Sequence, residues 1–218
     1  MTEIDSEYWT RYYAVTVDRP AWDTVKLAIR LFAAEDAAAA GRPARGAPGA
    51  DAASARFAVD LGCGAGRDAR ELLRAGWRVL AVDREQAAVD TLKSVTPPEL
   101  RPALQTRVAD LGSVEVPACD LVNASLSLPF LTPDLFWPAW RRVLDALPVG
   151  GRVAAKLFGD RDDSVTDPTM TCPSPADLRA TLSSFEIEHW VDAEEDTTTA
   201  LGEPHHFHML EVVARRVS

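Results

Sequence analysis

Between Phe57 and Asp83 the chain reads FAVDLGCGAGRDARELLRAGWRVLAVD, and this stretch constrains the fold more than any other. An apolar run ends at Asp60-Leu61, and Gly62, Gly64 and Gly66 follow. A helix-like segment then leads into a second apolar run that closes on Asp83. Glycines at that spacing let the backbone turn sharply from strand into helix and approach a ligand closely, with helix amides facing it. Seventeen residues after Gly66, Asp83 ends the next strand. An acid there accepts hydrogen bonds from two ribose hydroxyls, each charge-assisted bond contributing about 1.5–3 kcal/mol. The pattern calls for a parallel sheet that holds a nucleoside at the carboxyl ends of its strands.

The spacing also selects the kind of nucleoside. A dinucleotide site is built on G-x-G-x-x-G, whereas here the glycines run G-x-G-x-G and Arg67 stands where the third glycine of that fingerprint would fall. Asp60, just before the loop, would repel a pyrophosphate and suits a ligand carrying an amino group. A nicotinamide-dependent oxidoreductase is therefore disfavoured.

Strand-like and helix-like segments alternate through the rest of the chain. Helices are expected over residues 21–32, 67–75, 85–95, 134–147 and 175–182, and strands over 56–61, 78–82, 105–108, 120–124 and 151–158. Two further strands, 185–191 and 205–214, have no helix between them and predict an antiparallel hairpin at one edge. The expected fold class is α/β, a doubly wound, mostly parallel, seven-stranded sheet. Residues 41–54 are rich in Ala, Gly and Pro with no large apolar side chain, so they read as a mobile surface insertion within a single domain of residues 1–218.

Asp60-Leu-Gly-Cys-Gly-Ala-Gly66 resembles motif I of the class I S-adenosylmethionine (SAM)-dependent methyltransferases. The resemblance implies that the loop from Asp60 through Gly62, Cys63, Gly64, Gly66 and Arg67 holds the methionine part of SAM. It implies that Asp83, with Arg84, binds the ribose. Val108-Ala-Asp-Leu111 looks like the adenine-binding segment, with Asp110 on the exocyclic amine and Leu111 beside it. Asp120-Leu-Val-Asn-Ala124 looks like the strand ending beside the transferable methyl, which brings in Asn123 and Ala124. Within that superfamily the chain is most similar to the tellurite-resistance-type methyltransferases. The residues that carry this are Tyr8-Trp-Thr-Arg-Tyr-Tyr-Ala-Val-Thr16, which looks like their N-terminal lid (residues 1–32 with the following helix), and Gly66-Arg-Asp-Ala69. The His-Arg pair associated with chemistry at the tellurite site has no counterpart in EEDTTT, residues 194–199.

An acceptor pocket is expected above the sheet's carboxyl edge. Tyr8, Trp9 and Tyr12 are candidates for its walls, and Tyr13 and Thr16 are the favoured lid contacts to the cofactor, since a sulfonium sits well against aromatic faces. Asp160 and Arg161 follow the fifth strand at that edge and could meet a polar substrate, as could His205. His206 and His208 share a face of the last strand by two-residue alternation and are the candidate general bases. With no third ligand at suitable spacing, no metal is expected. Methyl transfer to a good nucleophile needs no base at all, because in-line placement can supply about 7–11 kcal/mol of the barrier.

Composition narrows the partners. The 218 residues carry a formal charge of −10, which repels phosphate backbones and anionic membranes at long range. Cys63, Cys119 and Cys172 form no C-x-x-C pair, so neither a disulfide framework nor a zinc site is expected. The acidic, polar start MTEIDSEYWT has no signal-peptide pattern, and the expected setting is the cytoplasm. The richness in Ala, Arg and Pro suggests a GC-rich bacterial genome. The expected function is SAM-dependent methyl transfer to a small molecule, leaving S-adenosylhomocysteine. A SAM-binding protein without methyl transfer and a methyltransferase acting on protein stay open as alternatives.

Overall fold

A computed structural model describes residues 6–38 and 55–218, so the insertion expected at residues 41–54 lies outside the described residues. Two helices come first, α1 (Ser6–Thr16) and α2 (Asp23–Ala38). The sheet then alternates with helices: β1 (Phe57–Leu61), α3 (Arg67–Arg74), β2 (Arg78–Asp83), α4 (Gln86–Val95), β3 (Leu104–Val108), β4 (Leu121–Ser125), α5 (Pro133–Asp145) and β5 (Arg152–Phe158). After α6 (Pro175–Ala180) the chain closes with β6 (Phe185–Thr198) and β7 (Pro204–Arg216). Spatial order is β3-β2-β1-β4-β5-β7-β6. Strands β1 to β5 pair in parallel, and β7 lies antiparallel between β5 and β6. The expected doubly wound sheet with an antiparallel edge hairpin is what forms.

The hairpin is longer than its apolar pattern suggested. Strand β6 continues to Thr198 through the exposed stretch Asp192–Thr198. Pairing with β7 satisfies its backbone there without any apolar face, which is why hydrophobic alternation misses it.

Strand alternation sorts the side chains onto two faces. Val59, Leu61, Val122, Ala124, Val153 and Ala155 point to one side, where they bury Phe136, Trp140 and Val143 of α5 and Leu178 of α6. Ala58, Leu121, Ala154 and Val213 point to the other, against Val25, Ala28 and Phe32 of α2 and Leu72 of α3. Helix α5 forms because these apolar positions recur at helical spacing behind Pro133, whose missing N–H costs nothing in a first turn. Ser174 caps α6, its hydroxyl accepting the Asp177 N–H at 3.1 Å. On the α2 face the alternation also brings Asp60, Asn123 and Lys156 to the carboxyl end of the sheet, with Asp60 and Asn123 in register. Polar groups thus collect at the edge where the strands end.

Candidate active site

A cavity of about 280 Å³ opens at that carboxyl edge, at the β1–β4 switch point where the strand order reverses. Its floor is the turn from β1 into α3. Gly62 (φ +70°) lies so close to the loop after β4 that an added Cβ would sit 2.2 Å from Ser127 Cβ. The Gly62 and Cys63 N–H groups both donate to Val82 O, at 2.8 and 2.9 Å, and the Gly64 N–H donates to Asp83 Oδ2 at 2.8 Å. The loop amides are therefore engaged by β2 rather than aimed at a ligand. The loop shapes the cavity by the close approach expected of its glycines, with its Gly62, Cys63 and Gly64 amides turned to β2.

Asp83 ends β2 facing this floor. Its Oδ1 accepts from the Glu85 N–H at 2.9 Å and lies 3.4 Å from the Tyr13 hydroxyl. Burial raises its carboxyl above the usual range, and the hydrogen bonds from Glu85 and Gly64 act in the opposite direction. Asp60 is more deeply enclosed, 2% exposed. The Asn123 amide donates to Asp60 Oδ1 at 2.7 Å and to Asp68 Oδ2 at 3.0 Å, while Ser125 Oγ donates to the Asn123 carbonyl at 3.1 Å and favours this orientation of the amide. Asp68 Oδ1 also accepts the Trp22 N–H at 2.9 Å. Asp60 Oδ2 is buried with no hydrogen-bond partner. Desolvation, then the nearby Asp68 charge, hold the Asp60 carboxyl far above its ordinary value.

The roof is α1. Trp9 stacks on Tyr13 (centroids 5.9 Å apart) and meets Phe130 edge-on at 4.9 Å, with Arg84 over its ring at 5.6 Å. Trp9 Nε1 is a second buried polar atom without a partner. Tyr13 lies across the glycine turn, 3.0 Å from where a Gly64 Cβ would be. Burial, with Asp83 second, raises its phenol above the ordinary range. Arg67 and Arg70 of α3 tie down the segment behind this roof by donating to Pro20 O and Val17 O.

Of the residues singled out from sequence, the cavity lining contains Asp60, Gly62, Cys63, Gly64, Arg67, Asp83, Arg84, Asp110, Leu111, Asn123, Tyr13, Thr16, Trp9 and Tyr12. Asp110 is at its exposed rim, where its Oδ1 accepts the Gly112 N–H at 2.7 Å. Four expectations place residues where the structure does not. Gly66 sits behind the cavity at the entry to α3, where an added Cβ would meet Leu92 Cδ1 at 2.1 Å. Ala124 points to the opposite, α5 side of the sheet by strand alternation. Tyr8 packs on Trp9 and Tyr12, one ring outward of the lining.

The fourth is the histidine group with its neighbouring loop. His208 is completely buried, its Nδ1 accepting the Arg161 N–H at 3.0 Å and its Nε2 lying 2.9 Å from Asp192 Oδ1. Neither nitrogen is left for a substrate proton. His205 Nε2 is 2.9 Å from the buried Asp162 Oδ1. His206 is held by Asp196 and Glu194, whose hydrogen bonds raise its pKa. Arg161 is spent on Glu194 and Asp192 at 2.7 and 2.9 Å, and Asp160 lies beside it at 3.6 Å. These side chains fasten the turn after β5 to the hairpin. Phe158 stands between them and Phe130 of the cavity wall. Among the described residues no group of three His, Cys, Asp or Glu side chains is placed to hold a metal ion.

Sequence reading passed over Asp68, Trp22, Thr169 and the run from Ser125 to Ser127, all of which line the cavity. Asp68 carried a signal, being an acid in the first turn of the helix after the glycine loop. Leu126 carried none. It alone among the described non-glycine residues has positive φ, +53°, a conformation that costs about 1–2 kcal/mol for an L-residue.

The fold and this site define a class I methyltransferase architecture. Residues 59–154, somewhat under half of the chain, match the model of a methyltransferase domain family. A magnesium-protoporphyrin O-methyltransferase from Rhodobacter capsulatus is 37% identical over 78 residues, a stretch covering 35% of each chain. The match thus spans about a third of that curated relative. Among solved structures, TehB from Haemophilus influenzae superimposes with a TM-score of 0.64 at 17% identity, over 74% of this chain and 57% of that one. A 1,6-didemethyltoxoflavin-N1-methyltransferase from Burkholderia thailandensis, solved with S-adenosylhomocysteine, superimposes with a TM-score of 0.51 at 20% identity, over 88% and 79%. At such identities the structural likeness is one of fold.

Proposed function

We propose that the protein is a single methyltransferase domain over residues 1–218 that transfers the methyl group of SAM to a small-molecule acceptor. One observation carries the reading. A single cavity joins a close-packed glycine turn, a ribose-suited acid and an unpartnered buried carboxylate oxygen to an aromatic roof. When bound, SAM supplies an electrophilic methyl on a positively charged sulfur. Asp83 accepts the ribose hydroxyls, Asp110 takes the exocyclic amine, and Leu111 covers the base. Asp60 Oδ2 receives the cationic end of the methionine part. Gly62 and Gly64 allow the approach, because a side chain at either would meet Ser127 or Tyr13.

Trp9, Tyr12, Phe130 and Thr16 exclude water and hold the acceptor in line, which is where most of the rate enhancement arises. No histidine lines the cavity. An acceptor that is nucleophilic at neutral pH therefore fits better than an alcohol awaiting a base. A 280 Å³ cavity beneath a helix suits a small molecule, as does the Burkholderia neighbour's 1,6-didemethyltoxoflavin. The charge of −10 disfavours nucleic acid, and we read the setting as cytoplasmic. Among the described residues no helix is long and apolar enough to cross a membrane.

The test is transfer of label from methyl-labelled SAM into size-fractionated host extract. Label in the small-molecule or volatile fraction is expected. Label in protein or nucleic acid would overturn the acceptor class, and binding without any transfer would favour a non-transferring SAM protein.

A further inference from the structure

Two carboxylates share one amide at the base of the cavity. Asp60 and Asp68 are 2% and 3% exposed, and the two hydrogens of the Asn123 amide are divided between them at 2.7 and 3.0 Å. Ser125 Oγ, 3.1 Å from the amide oxygen, favours this orientation of the amide. The Trp22 N–H also donates to Asp68, the Ser125 hydroxyl lies beside Asp68 and the Ala69 N–H beside Asp60, yet Asp60 Oδ2 is left without a partner. The charged and titratable groups facing the pair are Tyr12 from α1, Cys63 from the glycine turn, Arg67 from α3 and Asp83 from β2. The cations nearby are already engaged: the Arg67 guanidinium on Pro20 O and the Trp22 ring, 4.1 Å away, and Lys156 of β5 on Glu211 at 2.6 Å and over the same ring at 4.0 Å. Two like charges enclosed in this way cannot both ionise without a further cation. An ammonium group, a compact charge with three donors, supplies what both acids lack.

We propose that Asp60 and Asp68, bridged by Asn123, form a paired-carboxylate receptor for the α-ammonium of the cofactor, and that docking of this cation expels a proton held by the pair. The inference rests on the SAM reading of the cavity and adds to it a second acid and a proton balance. Before binding, the pair holds one proton. On binding, that proton leaves to solvent, both acids are ionised, and the ammonium compensates one of the two charges while the Asn123 and Trp22 N–H groups solvate the other. Burial of each acid, which raises both carboxyl groups above the ordinary range, agrees with storage of a proton near neutral pH. Asp68 acts here as a positioning residue through the shared amide and proton.

The experiment is calorimetric titration of the full chain between about pH 6 and 8, in two buffers of different ionisation enthalpy. The ligands are S-adenosylhomocysteine and 5′-methylthioadenosine, which has the same nucleoside but no ammonium group. S-adenosylhomocysteine is expected to release about one proton at the acid end of the range, its affinity rising by up to about tenfold per pH unit. Methylthioadenosine should release none and bind independently of pH. Asp68→Asn should abolish the release, whereas Asp83→Asn should weaken both ligands and leave it intact. Equal release by the two ligands, no release by S-adenosylhomocysteine, or full release in Asp68→Asn would overturn the proposal while the SAM reading stands. Failure of both ligands to bind at any pH would overturn that reading and the proposal with it. Should Asp68→Asn not fold, the two ligands on the unaltered protein still decide.

Discussion

Gly62 shows how one residue sets the shape of the cavity. Its positive φ and the 2.2 Å approach to Ser127 Cβ are independent demands, and only a missing Cβ meets both. The backbone conformation alone costs an alanine about 1–2 kcal/mol, and forcing extra volume into a packed site adds about 1–3 kcal/mol. Gly62→Ala should therefore lower stability by about 2–5 kcal/mol in denaturant titration and abolish binding of S-adenosylhomocysteine. Gly202 makes the contrast, having positive φ (+89°) but nothing within 4 Å. Gly202→Ala should show the conformational cost alone. The motif marks Gly62 as a turn residue, but that Ser127 presses on it and nothing presses on Gly202 is a tertiary fact.

At the scale of elements, two helices are held by different means, and each can be tested. Helix α1 docks through the Trp9, Tyr13 and Ala88 cluster, which is separate from the two sheet-face cores. Trp9→Ala should leave the sheet folded, weaken S-adenosylhomocysteine binding by about tenfold (about 1.4 kcal/mol), and increase tryptic cleavage at the exposed Arg11. Helix α2 is held partly by Arg152 of β5, whose buried guanidinium bonds both oxygens of Glu35 at 2.6 and 3.0 Å and both of Glu188 at 2.7 Å.

Removing one partner of such a buried group leaves the others uncompensated, so Arg152→Ala should cost about 3–5 kcal/mol. The pH dependence has a definite sign. The Arg152 hydrogen bond holds the Glu35 carboxyl below its usual range. This contribution is present above the unfolded value, about 4.3, and is lost as pH falls through the lower folded one. Glu35 is partly exposed, so solvent screening keeps the effect modest. Thermal denaturation should show stability falling on acidification below that range, and less steeply in Arg152→Ala.

For the whole molecule, ligand binding and folding are linked because the site is assembled from α1, the β1–α3 turn, β2 and the loop after β4. A ligand that binds only the folded state stabilises it by about 2.7 kcal/mol at a hundredfold excess over Kd. For a chain of this size each kcal/mol moves Tm by about 2–4 °C. S-adenosylhomocysteine should then raise Tm by about 5–11 °C in a thermal-shift measurement, and NAD should leave it unchanged. Equal shifts with both ligands would contradict the nucleoside selectivity drawn from Asp60 and Arg67.

The sequence alone determined the layers and the glycine turn and acid that line one side of the cavity. Strand and helix periodicity, the D-x-G-x-G-x-G turn and the acid at Asp83 are local patterns, each written within one or two consecutive elements. Strand alternation sets Asp60 on the face opposite Val59 and Leu61, but only the pairing of β1 with β4 brings Asn123 beside it. Only the tertiary structure decided what else lines the cavity. Trp22, Leu126, Phe130 and Thr169 reach one cavity from segments far apart in the chain, and nothing local marks such residues. Tertiary contact also withdrew His205, His206 and His208 into hydrogen bonds with acids of the hairpin and of the turn after β5. Alternation fixes which face a histidine takes, but whether that face is open or already covered depends on what the rest of the chain lays across it.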